Sequence, residues 1–231
     1  MSNKRRWKFL NQDDSGAIKS AHGDLTWTVG KWEHVDGRIE ACINGLHCSE
    51  RIREAFSYVQ GSVLARVEVK GDVDAEQDKA AYSDMRIIKA YRWSKEDSVA
   101  LAVFAAELVI GIFEKHRPDD DRPRKAIEAA KAYLANPDDA HASASASAYA
   151  ASASASAYAA SAYAYAANAS ANAAAYAANA ASAYAASAYA AYAYAASAYA
   201  AYAYAAYARK ELFDQIEKWL QDRVSQLELT G

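Results

Sequence analysis

Val63-Leu64-Ala65-Arg66-Val67-Glu68-Val69-Lys70 sets Val63, Ala65, Val67 and Val69 on one side of an extended chain, and Leu64, Arg66, Glu68 and Lys70 on the other. Alternation with a period of two is the pattern of a half-buried strand, and Gly71–Asp72 reads as its end. Met85 to Trp93 is a second such run, with Ile87 and Tyr91 on one side and Ile88 and Arg92 on the other. Working outward, Leu25–Val29 closes at Gly30, and Arg38–Ile43 follows the Asp36–Gly37 turn signal; both read as short strands. Ser49 to Tyr58 reads as a short helix with Ser49 as its N-cap. Residues 1–94 are therefore expected to form a small α+β domain with a mainly antiparallel sheet.

Residues 95–141 read as a helical connector. Ser94 can cap free backbone N–H groups, and Glu96 and Asp97 suit the positive end of a helix dipole. From Val99 to Phe113 the chain is nearly all apolar, so this helix should be buried on most sides. Pro118 and Asp119–Asp121 end it. Pro123 opens the next helix, Arg124 to Leu134, because proline is tolerated in a first turn, and Asn136–Pro137–Asp138 stops it. At the far end, Arg209 to Leu229 (domain limits 209–231) carries Leu212, Ile216, Leu220, Val224 and Leu227 at spacings of three and four, with Trp219 beside them. That is an amphipathic helix.

Between these helices, residues 142–208 are written with 40 Ala, 13 Tyr, 11 Ser and 3 Asn, with no charge, Gly or Pro. Two copies of Ser-Ala-Ser-Ala-Ser-Ala-Tyr-Ala-Ala start at Ser143 and Ser152, and from Ser182 the unit is (Ser/Tyr)-Ala-Tyr-Ala-Ala. Alanine has the highest helix propensity, which favours helix over the whole tract. A five-residue step turns about 140° on a helix, so Tyr184, Tyr189, Tyr194, Tyr199 and Tyr204 would lie all round the axis. The alternative is a β-solenoid with Ala inside and Ala-Ala corners, but alanine is poor in strands and the corners lack turn residues. On the helical reading those tyrosines form an aromatic surface for a protein partner or for self-association.

A chain of 231 residues implies one large or two small domains. The formal net charge is −3, so no basic field points to nucleic acid. The start, Met-Ser-Asn-Lys-Arg-Arg-Trp, has no apolar h-region, and Cys42 and Cys48 are the only cysteines, so a reducing cytoplasm is expected. The tract is long enough to span a bilayer, but its recurrent Ser and Asn argue against a membrane span.

Phe113-Glu-Lys-His-Arg-Pro-Asp-Asp-Asp-Arg-Pro-Arg-Lys-Ala-Ile-Glu-Ala-Ala-Lys-Ala-Tyr-Leu134, followed by the Ala/Tyr run and a charged Leu/Trp helix, resembles a bacterial and phage family of immunity proteins. The resemblance covers about Val99 to the C-terminus and implies helix for the tract. Gly37-Arg-Ile-Glu-Ala-Cys-Ile-Asn-Gly-Leu-His-Cys48, with the strand through Val67–Val69 and Gly71, is similar to a small phage and prophage domain of unknown function. Neither resemblance implies a reaction.

Candidate chemistry concentrates in the first domain. Trp27, Trp32 and His34, with Arg38, Glu40 and His47, could line a pocket for a planar ligand such as a nucleotide, since aromatics and arginine suit stacking and phosphate contact. The competing reading is a tryptophan-supported core. Cys42, His47 and Cys48, with His34 as a fourth, have soft-ligand chemistry. They lack the CxxC knuckle of a zinc site, so no metal and no cofactor is expected. Enzymatic action on a nucleotide would fall to Arg38, His47 and Glu54. The composition favours a non-enzymatic, phage-type accessory or immunity/anti-defence protein that binds a partner through the tract. A self-assembling repeat and a nucleotide-binding N-terminal domain stand as alternatives.

Overall fold

The computed structural model of this chain describes residues 4–59, 61–108, 110–116, 118–137 and 205–230. The tract up to residue 204 lies outside them, and with it the choice between helix and solenoid and the five tyrosines Tyr184, Tyr189, Tyr194, Tyr199 and Tyr204. The chain divides into two compact units, Met1–Trp93 with Trp219–Gly231, and Ser94–Lys218. The architecture is α+β, with an antiparallel sheet first and helices after it.

The first unit contains β1 (Lys4–Gln12), β2 (Ile18–Lys19), β3 (Thr26–Trp27), β4 (Trp32–His34), β5 (Leu46–Cys48), α1 (Ile52–Tyr58), β6 (Val63–Ala75) and β7 (Ala80–Arg92). They form a seven-stranded antiparallel sheet in the order β3-β2-β1-β6-β7-β4, with β5 also on β7. The β6–β7 hairpin is its spine.

The alternation in β6 is borne out. Val63, Ala65, Val67 and Val69 are buried in one core with Leu10, Trp27, Leu46, Met85 and Ile87. The strand does not stop at Gly71, however. Gly71 has φ +79 and makes a bulge, so Lys70 faces Asp84 but Val73 faces Tyr82. The Asp72 N–H donates to Ser83 Oγ at 3.0 Å across the irregularity. An extra residue is taken up without ending the pairing.

A second bulge corrects the expected faces of β7. Arg66 pairs with Lys89 but Val67 pairs with Ile87, so Ile88 is the surplus residue. One surplus residue inverts the parity of a strand. Ile87 therefore shares its core with Ala90, while Tyr91 lies on the opposite face beside Leu64.

Other expectations also change. Leu25–Val29 shortens to β3. Arg38–Ile43 is a closed turn, in which Glu40 and Asn44 exchange backbone hydrogen bonds of 2.9 Å and Ile43 is exposed. The Asn44 amide donates to the carbonyls of Asp36 and Arg38, both at 3.0 Å, and these bonds replace strand pairing. Ser49 does not cap α1. It is buried and bridges Trp7, with N–H···O bonds of 2.9 Å in both directions. Helix α1 begins after Arg51, whose N–H donates to the Glu54 carboxylate at 3.2 Å.

Trp7 and Phe9 point away from the first core, and there α1 covers the sheet. Phe9, Phe56 and Trp93 meet edge to face with ring centres 5.2–5.9 Å apart. The chain end also joins this unit. Arg92 N–H donates to Glu228 O and Thr230 N–H to Ala90 O, both at 2.9 Å, along the edge of β7 that β4 and β5 share.

In the second unit, Ser94 caps α2 (Lys95–Glu107) as expected. Its Oγ accepts the Asp97 N–H at 3.2 Å, and the Asp97 carboxylate accepts the Ser94 N–H at 2.7 Å. The apolar run is not one helix. It divides at Leu108 into α2 and α3 (Ile110–His116), where β-branched residues flank Gly111 and helix propensity is low. Helix α4 (Arg122–Ala135) carries Pro123 in its first turn and buries Ala126, Ile127, Ala130 and Tyr133. Helix α5 (Ala205–Val224), which belongs to the second unit up to Lys218 and to the first from Trp219, starts before Arg209 and ends short of Leu229, with Leu212, Ile216, Leu220 and Val224 buried. Among the described residues, no helix is long and apolar enough to cross a membrane.

Candidate ligand-binding cavity

The free edge of β1 is where the first unit opens. Its other edge is paired with β6 from Lys4 to Leu10, and β2 joins only at Asn11 and Gln12. The Trp7–Ser49 bridge brings the end of β5 back to β1, so the sheet curls on itself. Around this seam lies a cavity of about 480 Å³, with Trp7, Phe9, Leu25, Val35 and Leu46 among its apolar walls. Its polar groups include Lys8, His22, His47 and Lys79, with Cys42, Cys48 and Tyr58. No aspartate or glutamate is among the described residues that line it.

Lys8 reaches it from the core face of β1. It sits opposite Ala65, on the same side of the strand as the buried Leu10. Its Nζ donates to the His47 carbonyl at 2.8 Å and lies 5.8 Å from the centre of the Trp27 ring. Burial lowers its pKa to about 8. Lys79 behaves oppositely. Its Nζ contacts Cys42 Sγ at 2.9 Å and Glu76 Oε2 at 3.2 Å, and these contacts hold its pKa above the ordinary value.

The His47 ring is half-buried. Its Nε2 accepts the Cys42 N–H at 2.8 Å, which commits that nitrogen's lone pair. Burial, then Lys8 and Lys79, lower its pKa, so the ring stays neutral. Cys42 reaches this contact with φ +68, in the left-handed region that few side-chain-bearing residues occupy. Burial pushes the Cys48 thiol up to about 12. A thiol so protonated is a poor nucleophile. Among the described residues, no group of three or more His, Cys, Asp or Glu is placed to hold a metal.

Of the residues singled out from the sequence, Cys42, His47 and Cys48 line this cavity, whereas Trp27, Trp32, His34, Arg38, Glu40 and Glu54 are not among its lining residues. Trp27 is a core residue whose Nε1–H donates to Ser20 Oγ at 2.9 Å. Trp32, on β4, has Lys70 Nζ and the Arg86 guanidinium over its ring, 4.3 and 5.0 Å from the ring centre. His34 is exposed, with Asp84 at 3.1 Å and Asp36 at 3.3 Å; the Asp84 hydrogen bond is the main cause of its raised pKa. Arg38 is exposed in the closed turn. Glu54 is buried at the start of α1 and paired with the exposed Arg51 and with Arg53. Lys8, Lys79 and Tyr58 were not among the sequence candidates. In Trp7-Lys8-Phe9-Leu10 the signal was present, since Lys8 shares its side of the strand with Leu10.

The chain matches the family model described as a domain of unknown function (DUF7666) over residues 7–97. That span contains every described residue lining the cavity. No curated protein and no solved structure matches the chain.

Proposed function

We propose that this chain is a non-enzymatic binding protein whose first unit holds an anionic small ligand with an apolar body. One observation carries the reading: the cavity is lined by two lysines and apolar walls, with no carboxylate among the described lining residues. Lys79 already has Glu76 at 3.2 Å, but Lys8 has no carboxylate among the described residues, and a carboxylate or phosphate bound there relieves the cost of withdrawing that cation from water. Apolar walls with a few placed polar groups are the usual form of a small-molecule site. Thiol chemistry at Cys48 with His47 as its base is disfavoured, because the thiol stays protonated and the His47 Nε2 lone pair is committed to the Cys42 N–H.

Calorimetry with paired probes tests it. Benzoate should bind the full chain and raise its melting temperature, whereas benzamide, equal in shape but neutral, should not. Saturation at a hundred times Kd would add about 2.7 kcal/mol of stability. Equal binding of both would show that charge plays no part and would remove the proposal.

The composition of the tract and the likeness of the C-terminal half to immunity proteins support a wider role as a phage-type accessory protein. In that role Tyr184, Tyr189, Tyr194, Tyr199 and Tyr204 contact a protein partner or a second copy. Pull-down from a host lysate with and without residues 142–208 checks this, and identical partner lists would count against it.

A further inference from the structure

We infer that Lys8 is a carbonyl-capture site: its amine condenses with the aldehyde or ketone group of an anionic, apolar ligand to form a reversible imine in the cavity. This rests on the reading of the cavity as a ligand site and names the class of ligand it takes.

Three observations bring the chemistry to Lys8 and not to its neighbours. Lys8 lines the cavity from a core face of the sheet, so its amine meets a bound ligand away from bulk water. Its one described polar contact is the His47 carbonyl, a neutral partner, and no carboxylate among the described residues pairs with it. Lys79, in the same cavity, is held by Cys42 and Glu76 and stays an ammonium. One lysine is thus free to act as a nucleophile, while the other is fixed as a charge.

The step balances without a further reagent. The free-base nitrogen of Lys8 forms a bond to the carbonyl carbon, and the π electrons move to oxygen. A proton passes from nitrogen to that oxygen to give a carbinolamine. The carbon–oxygen bond then breaks as the nitrogen lone pair forms the carbon–nitrogen double bond, and the hydroxyl leaves as water with the second N–H proton. Formation needs the unprotonated amine, and burial supplies it: an amine lowered to about 8 is about one-tenth free base at pH 7, some two orders of magnitude more than an ordinary lysine. The titratable groups that share the cavity are Cys48 and His47 from β5, His22 from the β2–β3 loop, Cys42, Tyr58 and Lys79. Of these, Cys48 opposes the lowering at Lys8, and only as a thiolate, a form that burial disfavours. The product of this step is a stoichiometric, reversible imine.

The test uses the full chain, 4-carboxybenzaldehyde as the carbonyl probe and cyanoborohydride to fix the imine, followed by peptide mapping. Terephthalate, the matching dianion without an aldehyde, serves as the non-reactive ligand. Lys8 should be labelled about tenfold or more faster than the exposed lysines, with a rate that rises through pH 8 and then levels. Terephthalate should protect Lys8 alone. In Lys8→Arg, which has no nucleophilic amine, the adduct should vanish; the protection experiment on the unaltered chain stands whether or not that variant folds or binds terephthalate. Labelling spread evenly over exposed lysines, with terephthalate bound by calorimetry, would overturn capture and leave the cavity reading intact. Selective labelling of Lys8 without terephthalate binding would overturn the anion reading and keep capture. Neither labelling nor binding would remove both.

Discussion

Gly71 occupies a left-handed conformation inside β6, where a Cβ would collide with Ser83 Oγ and the Asp84 carboxylate. Those two groups are hydrogen-bonded to each other at 2.6 Å, and Ser83 also accepts the Asp72 N–H, so they cannot give way without breaking the bulge. Gly71→Ala should therefore cost about 2–3 kcal/mol in urea denaturation, a left-handed penalty of about 1–2 plus the displaced pair. Gly23→Ala is the control: its φ is +77 but a Cβ there meets nothing within 4 Å, so the backbone penalty alone should appear. Equal losses in the two variants would rule out the packing contribution. From the sequence, Gly71–Asp72 reads as a strand end, because the dipeptide has turn chemistry; only the position of Ser83 on the partner strand turns it into a bulge. Lys8 is hidden for a related reason. A lysine between Trp7 and Phe9 looks like the solvated side of a strand until both faces prove to be covered.

Helix α1 has seven residues, too few to persist in water by itself, so its docking must hold it. The docking is aromatic: Phe56 packs edge-on against both Phe9 and Trp93. Phe56→Ala should cost about 3–5 kcal/mol, and it should free the amides of residues 52–58 to exchange with solvent before the sheet does. Because Ala55, Tyr58 and Val59 line the cavity, benzoate affinity should fall in the same variant. Exchange at α1 unchanged relative to β6 would contradict this account of the docking. The strands and helices themselves were partly legible. The β6 alternation, the Ser94 cap and the proline start of α4 are local signals, and each appears in the structure. The Arg38–Ile43 strand was not, because its apolar residues are served by a turn closed through Asn44. The face assignment in β7 failed on a single surplus residue, Ile88, which no periodicity within β7 reveals, since a bulge is defined by the opposing strand.

The contacts with the longest sequence separations in the first unit join β1 and β7 to the chain end. Leu229 bridges Tyr91, Glu228 accepts the Arg92 N–H, and Thr230 donates to Ala90 O and meets the Gln12 side-chain amide at 3.0 Å. Nothing in the spacing of Leu220, Val224 and Leu227 announces this, because helix periodicity carries through Leu227 while α5 ends at Val224. An extended tail then closes an edge of β7 that would otherwise expose unpaired backbone groups. The segment matched by the family model, residues 7–97, contains that edge but not the tail that covers it. Deletion of residues 227–231 should therefore lower stability by about 2 kcal/mol, the worth of two backbone hydrogen bonds and a side-chain contact. Hydrogen exchange supplies the sharper readout. The Arg92 amide loses its acceptor, whereas the neighbouring Trp93 amide keeps Ser62 O at 2.9 Å, so Arg92 should exchange much faster than Trp93 in the shortened chain. Equal slowing of both amides would mean that the edge finds another cover, and the tail would then be dispensable to the first unit.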